Sequence, residues 1–334
     1  MPPSSRFLSR LRSRLLWMLG VAVLIYMVIA LWAGGPQLLD TLEHFRLSVL
    51  PVIMLAVLAN YALRFLKWQY YLSVVGVKLA WRESLLVFLA AFSMAITPGK
   101  VGELLKAQLV KQRTGAPRRR TVPIVLAERI TDFLALLLLT GLGALTLPLP
   151  YRIEGYSTRG VLWIALLVPL ALLAVLMSAP LCRSLIRASS RLPLVSRHAA
   201  KIAESHAALG PLISPGRLVA MTLLSTLSWG GECLAYYLVW DGLSAQMGPW
   251  QAAFIYAFST IAGIVTPGGL GPTEGFLTLL PPALSGMVDK SQAFWAMGLI
   301  RAATLWFAVV LGLACLFYFA RKYRIDEEEL ERPE

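Results

Sequence analysis

Two short loops place carboxylates where an apolar chain would not ordinarily tolerate them. The first reads Thr97-Pro98-Gly99-Lys100-Val101-Gly102-Glu103, the second Thr266-Pro267-Gly268-Gly269-Leu270-Gly271-Pro272-Thr273-Glu274. Thr97 and Thr266, Pro98 and Pro267, Gly99 and Gly268, and Gly102 and Gly271 all stand 169 positions apart, and a glutamate closes each copy. Ala91-Phe92-Ser93 precedes the first loop as Ala257-Phe258-Ser259 precedes the second. Pro-Gly turns of this kind interrupt a helix and leave free N–H groups that attract anions. A carboxylate beside such an end can cap it, bind a proton or cation, or pair with a base. Lys100 and Lys106 can each hold a phosphate as a point charge.

Further ionisable residues fall inside apolar surroundings: Glu128, Arg129 and Asp132 after the first loop, and Arg301 after the second. Charges at membrane depth are costly and usually mark a functional path. Lys100, Lys106, Arg129 and Arg301 are the residues expected to contact an anionic headgroup. Glu103, Glu128, Asp132 and Glu274 are those expected to serve polar gating or proton coupling. Neutral pairs such as Glu103 with Arg129, or Glu274 with Arg301, would limit the desolvation cost, but the sequence leaves the pairing open. Arg64 and Lys67 lie late in the preceding apolar run, where Lys67 is expected to snorkel to the interface. Glu232 lies in the run before the second loop. The plain alternative is that both loops only pack a bundle.

The elements that hold these residues are hydrophobic. The chain is 57% hydrophobic, 15% charged, and has a mean hydropathy of +0.68, which places it in a membrane. Long runs over Leu15–Ala33, Leu47–Leu66, Val122–Leu147, Gly160–Leu181, Leu218–Trp240 and Phe294–Ala320 predict six full spans. Ser84–Ile96, Gln251–Val265 and Phe276–Leu284 are shorter and flank the two loops, so they predict arms of two re-entrant hairpins. A hydropathy count gives about eight segments. The first run is longer than a signal-peptide core, which predicts a retained anchor helix.

Basic residues set the orientation. With the N-terminus inside, only Arg46, Arg152, Arg159 and Lys290 fall in external loops, which predicts cytoplasmic N- and C-termini. The segments before, within and after each loop then run in opposite directions in residues 47–149 and 218–320. That is an inverted repeat of the transport type. Residues 1–46 form a tail and anchor, residues 150–217 a linking span and segment, and residues 321–334 a charged tail. The basic stretch Arg183–Arg217 resembles an amphipathic helix on the inner leaflet, or equally a solvated linker.

Other chemistries find no support. Cys182, Cys233 and Cys315 show neither disulfide nor metal spacing, and His44, His198 and His206 form no ligand cluster. No P-loop, nucleophile elbow or zinc motif is present, so neither cofactor nor metal is expected. The net charge of +13 sits beside membrane runs and suits anionic lipid headgroups better than nucleic acid.

The three stretches Thr97–Lys106, Ala127-Glu128-Arg129-Ile130-Thr131-Asp132 and Thr266–Glu274, in this order, resemble the lysylphosphatidylglycerol synthase transmembrane family, over roughly Leu15 to Ala320. The resemblance implies a flippase-like membrane domain, related to one implicated in moving aminoacylated lipid between leaflets. The soluble synthase domain of the bifunctional members is not expected here, nor is its activity. Lipid translocation in the cytoplasmic (inner) membrane is therefore the leading expectation, with anionic phospholipid, glycolipid or isoprenoid-linked lipid as cargo. The alternatives are a membrane enzyme using Glu103 or Glu128 as acid or base, and an accessory protein that docks a lipid-modifying enzyme.

Overall fold

A computed structural model describes residue 20 and residues 23–32, 40–41, 43–97, 102–147, 167, 208–285 and 288–323. Pro98, Gly99, Lys100, nearly all of Gly160–Leu181, most of Arg183–Arg217 and the C-terminal tail lie outside the described residues. Every regular element described is helical. In order these are α1 (Val23–Trp32), α2 (Leu50–Val74), α3 (Trp81–Ala90), α4 (Leu105–Thr114), α5 (Arg118–Thr146), α6 (Pro215–Gly242), α7 (Pro249–Ala262), α8 (Pro272–Ser285), α9 (Lys290–Arg301) and α10 (Phe307–Tyr323). A π turn, Ala302–Trp306, joins α9 to α10 as one long helix. The chain is an all-α membrane protein in which Leu47–Val74, Pro215–Gly242 and Lys290–Tyr323 are long and apolar enough to cross a bilayer.

Local sequence explains the boundaries. Proline stands in the first turn of α2, α6 and α7, where its missing N–H costs nothing. Asp289 and Gln292 form a capping box at the start of α9, the Asp289 carboxylate accepting from the Gln292 N–H at 2.7 Å. Gly115 ends α4 in the left-handed region. The arms beside the two loops are short: α3 and α4 have ten residues each, α7 and α8 fourteen. At about 1.5 Å per residue none reaches the roughly 30 Å of a hydrocarbon core.

The packing is reciprocal between the halves. Helix α2 lies against α6, α5 against α7, and α10 against α3 and the 3₁₀ turn Ala91–Met94. Each half therefore grips the first arm of the other half's loop unit. Where α2 meets α6, the Asn60 side chain donates to the Ser228 carbonyl at 2.9 Å and the Ser228 hydroxyl donates to the Asn60 carbonyl at 3.2 Å.

Two glycines, again 169 positions apart, carry the reciprocal grip. A Cβ on Gly143 would meet the Trp250 carbonyl and the Phe254 Cβ at 2.7 Å; one on Gly312 would meet the Ser93 nitrogen at 2.2 Å. The opposing atoms include backbone, so the helices must separate to admit a methyl. Gly143→Ala and Gly312→Ala are each expected to cost about 1–3 kcal/mol, the usual range for overpacking. Thermal unfolding of the purified protein in detergent checks this. Gly230→Ala, where a Cβ would find open space, is the control expected to unfold like the wild type.

Candidate functional site

The two loops share a local geometry. The Thr97 hydroxyl donates to the Met94 carbonyl at 2.7 Å, and the Thr266 hydroxyl donates to the Gly263 carbonyl at 3.0 Å. The backbone N–H groups of both threonines bond the same two carbonyls. The 169-residue offset thus holds for hydrogen bonds as well as letters. Thr97 also accepts from the Gly102 N–H at 2.7 Å, closing the first loop on itself. In the second loop Pro267–Gly269 makes a 3₁₀ turn, and Gly268, Gly269 and Gly271 have φ of 61°, 79° and 94°. Side chains at these positions would be strained.

Each loop ends on a buried glutamate, and each glutamate meets an arginine from the helix beyond its loop unit, Arg129 on α5 and Arg301 on α9. Arg129 Nη2 lies 3.1 Å from Glu103 Oε2, and Arg301 Nε lies 2.7 Å from Glu274 Oε1. Both suggested neutral pairs are present. Arg301 also donates to the Gly268 carbonyl at 2.6 Å, while Glu274 Oε2 accepts the Gly271 N–H at 2.8 Å. Arg301 and Glu274 therefore fix the glycine turn from both sides. Directly after Arg301 the helix opens into the π turn, and Tyr61 of α2 donates its hydroxyl to the Thr304 carbonyl there at 3.0 Å. π turns of this kind often mark functional positions.

Glu103 is a junction. Besides Arg129 it lies 3.7 Å from Arg64 and 3.6 Å from Lys106. Lys106 bonds Glu128 at 2.7 Å and sits 5.0 Å from the ring centres of both Trp68 and Phe88. Asp132 receives Lys67 at 2.5 Å and Arg129 at 3.1 Å, and accepts the Ser225 hydroxyl at 3.0 Å. The expectation that Lys67 snorkels to the interface is wrong: it is 1% exposed, bonded to Asp132, Ser225 and Thr131. The cause is helix length. Helix α2 runs to Val74, past the predicted end at Leu66, so Lys67 lies about two turns from the end rather than at it.

Among the described residues the cluster is balanced. Arg64, Lys67, Lys106, Arg129 and Arg301 face Glu103, Glu128, Asp132, Glu232 and Glu274, five cations and five carboxylates. No group of side chains suited to a metal occurs among them.

A cavity of about 200 Å³ opens beside the cluster, lined from both halves by α2, α5, α6, α7 and α9, both loop regions, and the π turn. Three arginines line it, Arg64, Arg129 and Arg301, with Glu103, Asp132 and Glu232. Phe92, Phe133, Leu136, Trp229 and Leu305 give it an apolar wall. Of the residues expected to contact a headgroup, Arg129 and Arg301 line the cavity, whereas Lys106 is fully buried under Glu128 and does not. Glu128 and Glu274 stand behind the wall as partners of Lys106 and Arg301. Thr266, Gly268 and Gly269 line the cavity; Thr97, Gly102 and Gly271 shape the loops behind it. Sequence reasoning did not single out Tyr61, Trp229 or Tyr256. One signal was available: Tyr61 and Arg64, like Trp229 and Glu232, pair an aromatic and a charge three residues apart on α2 and α6, the helices that precede the two loop units.

In a comparison with protein families, the model described as lysylphosphatidylglycerol synthase TM region matches residues 17–312. A comparison with curated proteins finds no match.

Proposed function

Because the chain belongs to the lysylphosphatidylglycerol synthase TM region family, and so has a role connected with membrane lipids, we propose that it moves a lipid with an anionic headgroup between the leaflets of the cytoplasmic membrane. In this reading the chain crosses six times with both termini inside. The units α3–α4 and α7–α8 are re-entrant hairpins of an inverted repeat, entering from opposite sides. Their short arms, the shared loop geometry and the reciprocal packing support that arrangement.

The observation that carries the proposal is the cavity between the halves, where three arginines from α2, α5 and α9 meet an apolar wall. Guanidinium groups suit phosphate oxygens, and the wall suits the carbon nearest them. Lys106 is not needed for this contact and serves to hold Glu103 and Glu128. The protein would act as a transporter rather than an enzyme, with anionic membrane lipids as its partners.

Vesicles carrying NBD-labelled phosphatidylglycerol in both leaflets test this. Dithionite should bleach the inner-leaflet label when the purified protein is present and spare it in protein-free vesicles. Protection equal in both defeats the proposal. A chemically new lipid in the extract would point to the enzyme alternative instead.

A further inference from the structure

The two loop units touch each other. Ile96, one residue before Thr97, is 2% exposed and lies against Gly268 of the second loop. A Cβ on Gly268 would stand 3.3 Å from the Ile96 Cα and 3.6 Å from its Cβ. Around this contact Ala95, Ile96, Leu270, Leu305 and Val309 form an apolar cluster of their own, apart from the main core. Ala95, Gly268 and Leu305 also line the cavity, so the cluster is one of its walls. Ile25 of α1, a helix outside both repeats, packs on it together with Trp306 of the π turn. The Trp306 indole N–H donates to the Tyr26 hydroxyl at 3.1 Å, which fastens α1 there.

The matching position of the other half is in the opposite condition. Val265 stands 169 positions after Ile96, one residue before Thr266, in a turn closed by the same threonine hydrogen bonds. Val265 is 75% exposed. Local chemistry does not cause the difference, because both side chains are β-branched and aliphatic and both precede the same Thr-Pro-Gly turn. The cause is what the rest of the fold sets against each of them. In an inverted repeat, matching positions exchange surroundings as the protein passes between its two access states. One member shut and the other open is what a single such state contains.

Resting on the lipid-movement reading above, we infer that the contact of Ile96 with Gly268 is a closed gate of the lipid path, an apolar seal in the cavity wall, and that Val265 marks the matching gate in its open condition. Lipid passage parts Ile96 from Gly268 and covers Val265. An apolar seal suits this task, since it excludes water and headgroups when shut, and parting it separates carbon from carbon. Arg301 and Glu274 bind the second loop within its own half, so its turn can leave Ile96 as a unit.

A disulfide across the seal tests this. In protein with Cys182, Cys233 and Cys315 replaced by alanine, Ile96→Cys with Gly268→Cys sets two Cβ atoms 3.6 Å apart, a separation that a disulfide spans. Oxidised with copper phenanthroline, this pair should stop NBD-phosphatidylglycerol movement in vesicles, and dithiothreitol should restore it. Extraction of the probe into albumin reads the movement and spares the disulfide. Oxidised protein that moves the probe as fast as reduced protein overturns the gate.

Gly268 has a φ of 61°, where a cysteine is strained, so a second measurement leaves that glycine in place. Ile96→Cys alone, in the same background, should resist N-ethylmaleimide in the resting protein in detergent, because the thiolate is the reactive form and a dry thiol stays protonated. Adding dihexanoyl-phosphatidylglycerol should raise its labelling rate severalfold and lower that of Val265→Cys. Labelling of Ile96→Cys that the lipid leaves unchanged overturns the gate, and a rise at both positions overturns the exchange between them. Vesicles in which the wild type moves no probe at all defeat the lipid-movement reading itself.

Discussion

Asp132→Ala should leave the protein about 3–5 kcal/mol less stable, the typical loss when one partner of a buried ion pair is removed. Lys67 is 1% exposed, and among the described residues its ammonium rests on Asp132 at 2.5 Å with the hydroxyls of Ser225 and Thr131 besides. Removing the carboxylate strands that charge between α2, α5 and α6, far from the end of its helix. Arg129 keeps Glu103 as a partner and so suffers less. The double variant Lys67→Met/Asp132→Asn removes both charges with little change in volume and should recover much of the loss. The two effects therefore do not add, as is usual for residues in contact. Unfolding temperature and size-exclusion profile in one detergent provide the measurement. A stable Asp132→Ala protein would mean that Lys67 reaches water or headgroups after all.

What the sequence disclosed follows from how local each signal is. The two loops were legible because Pro and Gly act on their own backbone, and the recurrence of Thr, Pro and Gly at one offset needs no fold to be seen. The neutral pairs were half legible. Glu103 and Arg129 are nearly as far apart along the chain as Glu274 and Arg301, yet only packing of α5 and α9 brings each pair to 3.1 and 2.7 Å. Lys67 was misread because its fate depends on where α2 ends, and an apolar run fixes a helix boundary poorly once polar residues can be buried in pairs. Gly143 and Gly312 each look like one glycine among many in an apolar run. Their shared offset was visible, but its meaning comes from the opposing arm of the other half. The π turn after Arg301 and the Glu232–Tyr256 bond have no sequence signature, since both are products of tertiary fit.

Glu103→Gln should cut lipid movement in vesicles by at least about tenfold while increasing the anionic phospholipid that copurifies with the protein. Glutamine keeps the shape and hydrogen-bonding capacity of the side chain and removes only its charge. Arg64, Arg129 and Lys106 then lose the anion they share. Arg64 and Arg129 line the cavity, so the site acquires a permanent positive charge at the place a phosphate would occupy. A transport site must bind well enough to admit its cargo and weakly enough to release it. A fixed excess of positive charge favours entry and opposes exit, so retained lipid should rise as movement falls. Mass spectrometry of the purified variant, normalised to protein, measures the first; the dithionite assay measures the second. A role in holding the fold alone predicts a different pair of results, with abundance and stability reduced and bound lipid unchanged or lower. In that case a charge exchange, Glu103→Arg with Arg129→Glu, should restore abundance. Full lipid movement by Glu103→Gln would remove Glu103 from the transport path.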